Sequence, residues 1–296
     1  MRIATYRWGG GRHVGLVSTD ASEVTPLSLP ARQQQVSSRG ALALLEHLAD
    51  HPGGLPLALM ASELDMPLSA CHRLLGELQR RGYVRQAHKQ GDYVLTTKVV
   101  SLGLGYLSNA GIVDIAEPLL ERLAHKSGEL VRLAIVDEDR LTWVAKSQGT
   151  RQGLRYDPDM GMDARLSCTA SGHAWLLTLS DERAVELVAR QGFGPPAQYG
   201  PKAPTTVKAL LGFLHAARVR GHSMIEEVFA PGMNAMGAPV MRRKEAIGVI
   251  SIAGPRTRLT AARMRELAPA LLAAAAELGP ISNGSSLFGR PPLGKG

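Results

Sequence analysis

Asp157, Asp159, Asp163, His173, Glu226 and Glu227 are the side chains best suited to hold a metal. Their spacing matches no helix-borne or loop-borne site of the zinc or calcium kind. Ser171-Gly172-His173 sets a hydroxyl beside an imidazole. It lacks the small-residue elbow that exposes a nucleophile, and a triad is a spatial arrangement, not a run of neighbours. No catalytic residue, metal or cofactor is assigned on these grounds, and the chain is not read as an enzyme. The stretch Leu154-Arg-Tyr-Asp-Pro-Asp-Met-Gly161 gathers a cation, an aromatic ring and two carboxylates. The amides of Ala170, Ser171 and Gly172 open a helix and would attract a carboxylate. Arg155 would add a bidentate clamp, with Asp157 beside it. Glu226 and Glu227 lie on the opposite approach. The ligand implied is a small organic acid, aromatic acids included; the alternative is that these charges form a solvated loop.

A second cluster invites contact with nucleic acid. On a helix over Leu68–Arg81, Cys71, Leu74, Leu75 and Leu78 fall at inward spacing. Leu68, Ser69, Ala70, His72 and Arg73 are left outward at its first turns. That end of a recognition helix meets base edges, and its N-terminus favours phosphate. Arg80 and Arg81 at the other end suit backbone phosphates.

The elements that must carry these groups follow from periodicity. Ser38 opens a helix with Ala41, Leu42, Leu44, Leu45 and Leu48 apolar, closed by His51-Pro52-Gly53-Gly54. A short helix covers Leu57–Leu64, the turn Asp65-Met66-Pro67 follows, and the Leu68 helix stops at Gly82. Two short strands, Tyr83–Arg85 and Gly91–Leu95, make a wing with Arg85, His88 and Lys89 near its tip. The pattern alone fits a DNA-reading helix-turn-helix or a small helical domain closed by a hairpin. Val99–Leu107 and Ile112–Leu123 read as two helices with a break at Asn109-Ala110-Gly111; their apolar Val100, Leu102, Leu104, Tyr106 and Leu107 serve either core packing or a dimer contact. Further on, strands at Val131–Val136, Leu141–Lys146 and Ala246–Ile252 mix with helices at Thr169–Leu179, Asp181–Gln191, Thr205–Arg220 and Thr260–Leu278, giving an α/β or α+β domain. Ser180 and Thr260 are N-cap candidates. Arg32–Ser38 reads as a polar linker and Ser282–Gly296 as a disordered tail.

Whole-chain properties bound these readings. The 296 residues allow about two domains. Two cysteines, Cys71 and Cys168, make neither a disulfide framework nor a metal cluster, so a reduced cytoplasmic setting is expected. No apolar run reaches the ~18 residues of a membrane span, and no signal peptide is evident. The net charge of +8 looks like a nucleic-acid signature, yet residues 1–30, 31–107, 108–280 and 281–296 carry only +1, +2, +3 and +2. Bulk charge therefore locates no DNA site.

Residues ~36–280 resemble the IclR family of bacterial regulators. The motifs are Arg39-Gly-Ala-Leu-Ala-Leu-Leu-Glu, Leu68-Ser-Ala-Cys-His-Arg-Leu-Leu75, Gly82-Tyr-Val, Gly91-Asp-Tyr-Val-Leu-Thr-Thr-Lys98, Ser127-Gly-Glu129, Thr169-Ala-Ser-Gly-His-Ala-Trp175, Ala235-Met-Gly-Ala-Pro-Val240 and Ser251-Ile-Ala-Gly-Pro255, in family order. The resemblance implies an α+β chain with four parts: an extra segment over 1–35, a winged helix-turn-helix over 36–98, linker helices with a GAF-like effector-binding domain over 99–281, and the tail over 282–296. It implies DNA contact by Arg39, Leu68, Ser69, Ala70, His72, Arg73, Arg85 and Lys89. It implies an effector site drawing on the turn after Gln148 and on Thr169, Ala170, Ser171, Ala235, Ser251 and Ala253, to which the local chemistry adds Arg155, Asp157 and Glu227. The implied partners are a double-stranded DNA operator, a small-molecule effector, and a second copy in a homodimer or further copies in a homotetramer. Three departures matter. Ala70 stands where the family usually has threonine, Ala235 where some members carry cysteine, and Ala253 where some carry serine. They put the operator and the effector of any one relative in doubt for this chain.

Residues 1–30 read as short strands, Ile3–Arg7 and His13–Ser18, around Gly9-Gly10-Gly11. This run resembles the opening of the fumarylacetoacetate-hydrolase family. The metal-binding carboxylates of such an enzyme do not follow it. It supplies the rival reading, a hydrolase; a ligand-binding protein without DNA contact is the third.

Overall fold

The computed structural model describes residues 2–8, 11–17, 24–26, 31–87, 91–109, 111–150 and 160–282, with side chains from residue 38 onward except at 107–109, 112 and 113. The chain divides into two compact units, Met1–Leu104 and Gly105–Gly296.

The first unit opens with three strands, β1 (Arg2–Trp8), β2 (Gly11–Val17) and β3 (Val24–Pro26), in one antiparallel sheet. The third was not expected. Helix α1 then spans Ala31–Ala49. It starts seven residues before the expected Ser38, and the segment read as a polar linker is helical. The reason is composition: Ala, Arg and three Gln in a row are good helix formers, and polarity argues against burial, not against a helix. Helices α2 (Leu57–Glu63) and α3 (Leu68–Arg80) follow, then a hairpin of β4 (Val84–Gln86) and β5 (Tyr93–Leu95). Leu44, Leu48, Leu55, Met60, Cys71, Leu75 and Val84 form its core. A Cβ on Gly40 would lie 2.9 Å from Leu74 Cδ1, so the glycine lets α1 approach α3 closely. Asp65 turns the chain between α2 and α3 with φ of 47°, and the Met66 amide donates to the Ala61 carbonyl at 2.8 Å.

Helix α4 (Thr97–Asn109) crosses from one unit into the other. Val100, Leu102, Leu104 and Tyr106 on it are exposed, so core packing within a unit does not account for them.

The second unit contains α5 (Ile112–Ser127), β6 (Leu130–Asp137), β7 (Arg140–Gln148), α6 (Ala170–Leu176), α7 (Asp181–Gln191), α8 (Val207–Arg220), β8 (Ser223–Glu226), β9 (Met233–Arg242), β10 (Glu245–Pro255) and α9 (Ala261–Ile281). The strands form one antiparallel sheet in the order β7-β6-β10-β9-β8. Helices α5 and α9 cover one face around Leu120, Leu133, Ile250, Ile252 and Leu271. Helices α6, α7 and α8 pack on the other around Trp143, Trp175, Leu187, Leu210 and Val249. Burial on both faces explains why β6 and β10 read as nearly unbroken apolar runs. β8 escaped sequence reading and β9 was legible only as a motif. β9 carries Gly237 and Pro239 and few β-branched residues, so pairing imposes its extended state. β8 pairs with β9 only as far as Gly237, so Pro239 blocks no hydrogen bond on that side. Ser282, the first residue of the segment read as tail, is buried and its Oγ donates to the Gly279 carbonyl; 283–296 lie outside the described residues.

Candidate functional site

In the first unit, α3 presents one exposed end. Ser69, His72 and Arg73 are exposed, Ala70 is half-buried, and Leu68 is 54% exposed, as the spacing required. Cys71, Leu74, Leu75 and Leu78 are buried behind them. Pro67 precedes the helix and no side chain caps it; the Ala70 amide donates to the Pro67 carbonyl at 2.9 Å, which leaves the Leu68 and Ser69 amides for an outside acceptor. Arg39, Arg73 and Arg85 are exposed and make no ion pair among the described residues. Arg80 and Arg81 differ: both pair with Glu77, Arg81 at 2.7 Å, and that contact holds the Glu77 carboxyl below its ordinary range. They are therefore weaker phosphate ligands than their position implied. In the wing, Arg85 opposes Val94 across β4 and β5, which turns it outward while Val84 enters the core. Lys89 and His88 lie outside the described residues.

In the second unit, a small pocket of about 20 Å³ opens on the α6 side of the sheet. Its wall includes Thr169, Ala170, Ser171, Ala235, Ser251 and Ala253, six of the expected effector residues, brought together from α6, β9 and β10. The geometry comes from strand register. Arg132 of β6, Ser251 of β10, Gly237 of β9 and Ser223 of β8 form one cross-strand row. Two residues further along, Ala253, Ala235 and Ile225 form the next. Helix α6 is fixed over these rows. The Thr169 hydroxyl accepts from the Gly172 amide at 2.9 Å and donates to the Arg165 carbonyl at 2.8 Å. Ser223 Oγ donates to the Ala170 carbonyl at 2.7 Å. Trp143 Nε1 donates to Ser171 Oγ at 3.2 Å.

Two expectations need correction. Glu227 is not on the pocket wall: its carboxylate accepts from the Gly232 amide at 3.0 Å and from Arg256 at 2.7 Å, which holds the β8–β9 turn. The Gly172 amide, expected to hold a carboxylate, is taken by the Thr169 cap. Arg155 and Asp157 lie outside the described residues, so the cation on the described wall is Arg132. Sequence reading passed over Arg132, which is 6% exposed and lies 3.8 Å above the Trp143 ring. The available signal was a lone cation inside the apolar run Leu130–Val136. Ile225, Phe229, Met233 and Asn234 also line the pocket and were missed. They sit on or beside the unread β8 and β9.

The reactive residues here are held inactive. His173 Nε2 lies 2.7 Å from the Ser167 carbonyl, and among the described residues no hydrogen bond joins His173 to Ser171, whose Oγ is engaged by Trp143. Full burial pushes the His173 imidazole down to about 4, and burial raises the Cys168 thiol to about 12. Asp163 is engaged by Arg140 and Thr142, each at 2.7 Å. Among the described residues no three His, Cys, Asp or Glu side chains converge as a metal site.

Family models match both units: the IclR helix-turn-helix domain over residues 41–88, and the bacterial transcriptional regulator IclR C-terminal domain over 104–279. The chain belongs to the IclR family. It is a DNA-binding transcription regulator, and the curated proteins it matches include repressors, which decides against the hydrolase reading. The transcriptional repressor IclR of Escherichia coli (strain K12) is 29% identical over 251 residues, covering 84% of this chain and 90% of the relative. An IclR transcriptional regulator from Alicyclobacillus acidocaldarius shares the fold at a TM-score of 0.72 and 20% identity, covering 83% of this chain and 98% of the other. An IclR homolog from Microbacterium hydrocarbonoxydans, complexed with 4-hydroxybenzoate, matches at a TM-score of 0.68 and 16% identity, covering 83% of this chain and 100% of the other. Among the described residues no helix is long and apolar enough to cross a membrane.

Proposed function

We propose that this IclR-family regulator acts in the cytoplasm as a homodimer, lays α3 of each copy into the major groove of an operator half-site, and releases or tightens that grip when a small organic acid fills the pocket of the second unit. The observation that carries this reading is the pairing of an exposed, uncapped α3 end with a cation-bearing pocket in the same chain. Leu68, Ser69, Ala70, His72 and Arg73 read base edges, while Arg39, Arg85 and Lys89 contact phosphate. One such helix reads only a few base pairs, and two-fold repetition is the usual remedy. The exposed apolar residues of α4, Val100 and Leu104 on one side and Leu102 and Tyr106 on the other, supply a surface for it, since so much apolar side chain is seldom left to water. The 4-hydroxybenzoate of the Microbacterium homolog supports an aromatic acid as effector. Effector binding that differs between two dimer arrangements shifts their populations and so changes the spacing of the two α3 helices. A gel-shift with the chain's own upstream DNA tests the reading. Specific binding that weakens steeply with salt is expected; no shift at low salt refutes it.

A further inference from the structure

We infer that the β9–β10 turn is a second DNA contact, one that grips the phosphate backbone without reading sequence. The turn sets Arg242, Arg243 and Lys244 in a row. Arg243 and Lys244 are exposed, Arg242 is half-buried, and none of the three has an ion-pair partner among the described residues. Other arginines of the second unit are committed to carboxylates, among them Arg122 to Glu277, Arg218 to Asp181 and Arg258 to Glu129. Glu245 stands opposite Arg242 in register, which leaves Arg243 and Lys244 as the unopposed pair at the tip. The stretch Met241–Glu245 carries a net +2, and residues 283–296, which follow Ser282, another +2, together half of the chain's +8.

The tip is held in place. Arg243 turns the chain at a φ of 56°, and β9 and β10 stay paired out to Arg242 and Glu245. α9 lies so close to the base of the turn that a Cβ on Gly279 would stand 2.2 Å from the Met241 carbonyl oxygen. A fixed turn meets a partner without first having to order its backbone. Between the turn and the end of α9 lies an open hollow of about 920 Å³, walled by Met241–Glu245, Gly279 and Pro280. That wall has no aromatic ring, and lysine is a residue that protein–protein contacts avoid. Cations facing open space suit a run of phosphates. The turn is also remote from the effector pocket, since Ala253 lies about 27 Å along β10 from Glu245 at ~3.4 Å per residue. It stands instead where the chain enters the unit. Arg263 at the start of α9 donates to the Lys126 carbonyl late in α5, and Arg122 pairs with Glu277 late in α9. The two helices therefore run antiparallel, and α5, which α4 joins to the DNA-reading unit, begins toward the end of α9 that carries Gly279.

Gel-shifts of the full chain over a salt series test this on two fragments of equal length, the chain's own upstream DNA and a scrambled sequence. In Arg243→Gln/Lys244→Gln the slope of log affinity against log salt should fall by about two for each copy that touches DNA, at ~0.9 per phosphate contact. Between 50 and 200 mM salt the parent should then lose roughly 12-fold more affinity than the variant. The effect should be the same on both fragments, whereas Arg73→Ala should cost affinity on the upstream DNA alone; that contrast separates this contact from base reading by α3. Lys208→Gln/Arg265→Gln removes equal charge from exposed positions elsewhere in the second unit and should keep the parent's slope. The turn variant should melt with the parent, because neither side chain has a hydrogen-bond or ion-pair partner among the described residues. Should it not fold, Lys244→Glu leaves the left-handed Arg243 in place and should still lower the slope by about one or more. An unchanged slope in the turn variants, an equal drop in the Lys208/Arg265 control, or a loss confined to the upstream fragment overturns the inference. Unchanged DNA binding with an altered mass in sedimentation makes the turn a contact between copies and overturns it as well.

Discussion

Replacing Gly237 by alanine probes the element that shapes the pocket. Gly237 sits in β9 with Ser251 on one side and Ser223 on the other. A Cβ there would stand 2.9 Å from the Ala170 carbonyl oxygen, 3.2 Å from Ala174 Cβ and 3.2 Å from Ser223 Oγ. The first of these is backbone and cannot rotate away. α6 must lift from the sheet, stretching the 2.7 Å bond from Ser223 Oγ to Ala170. Overpacking of this size costs about 1–3 kcal/mol. For a domain of roughly 150–250 residues that lowers the melting temperature by about 2–12 °C. The control is Gly212→Ala on α8, where no atom lies within 4 Å of the added Cβ. There the same change relieves a helix of its glycine and adds about 0.5–1 kcal/mol. Calorimetric unfolding of the two variants reads opposite signs. Because α6 forms one pocket wall, acid affinity should fall in Gly237→Ala while operator binding without acid is kept. A Gly237→Ala protein melting at or above the parent would refute the close packing of α6 on β9.

Arg73→Ala should weaken operator binding by about 1–3 kcal/mol without changing the melting temperature, and Arg85→Ala should lower the slope of affinity against salt by about one phosphate contact, both read by gel-shift over a salt series. Thr169→Ala removes the cap of α6 and should destabilise the chain by about 1 kcal/mol in denaturant unfolding, with acid binding reduced alongside. His173 has a folded pKa of about 4 against an ordinary 6.5, through burial. A depressed pKa means the unfolded chain takes the proton first. Its contribution is therefore full above pH 6.5 and is lost as pH falls toward 4, by up to about 1.4 kcal/mol per unit. Unfolding of the parent and His173→Gln should diverge over that window; parallel curves would show that His173 titrates normally.

The sequence alone determined which face of α3 is buried, because helical spacing sorts Cys71, Leu74, Leu75 and Leu78 from Ser69, His72 and Arg73 without reference to any distant residue. Side-chain period is a local property of the backbone, and the motif order through Pro255 extended the reading to the family. Local chemistry also found the caps Ser180 and Thr260, each of whose hydroxyls accepts from an amide three residues on. It failed where partners lie far apart in the chain. Glu227 looked like a ligand group until Gly232 and Arg256 claimed it. The amide of Gly172 looked available until Thr169 capped it, and Arg80 and Arg81 looked free until Glu77 paired with them. Arg132 was one residue in an apolar strand until the register of β6, β10 and β9 set it beside Ser251 and above Trp143. Register is decided by pairing between strands more than a hundred residues apart, and pairing is what only the tertiary structure supplies.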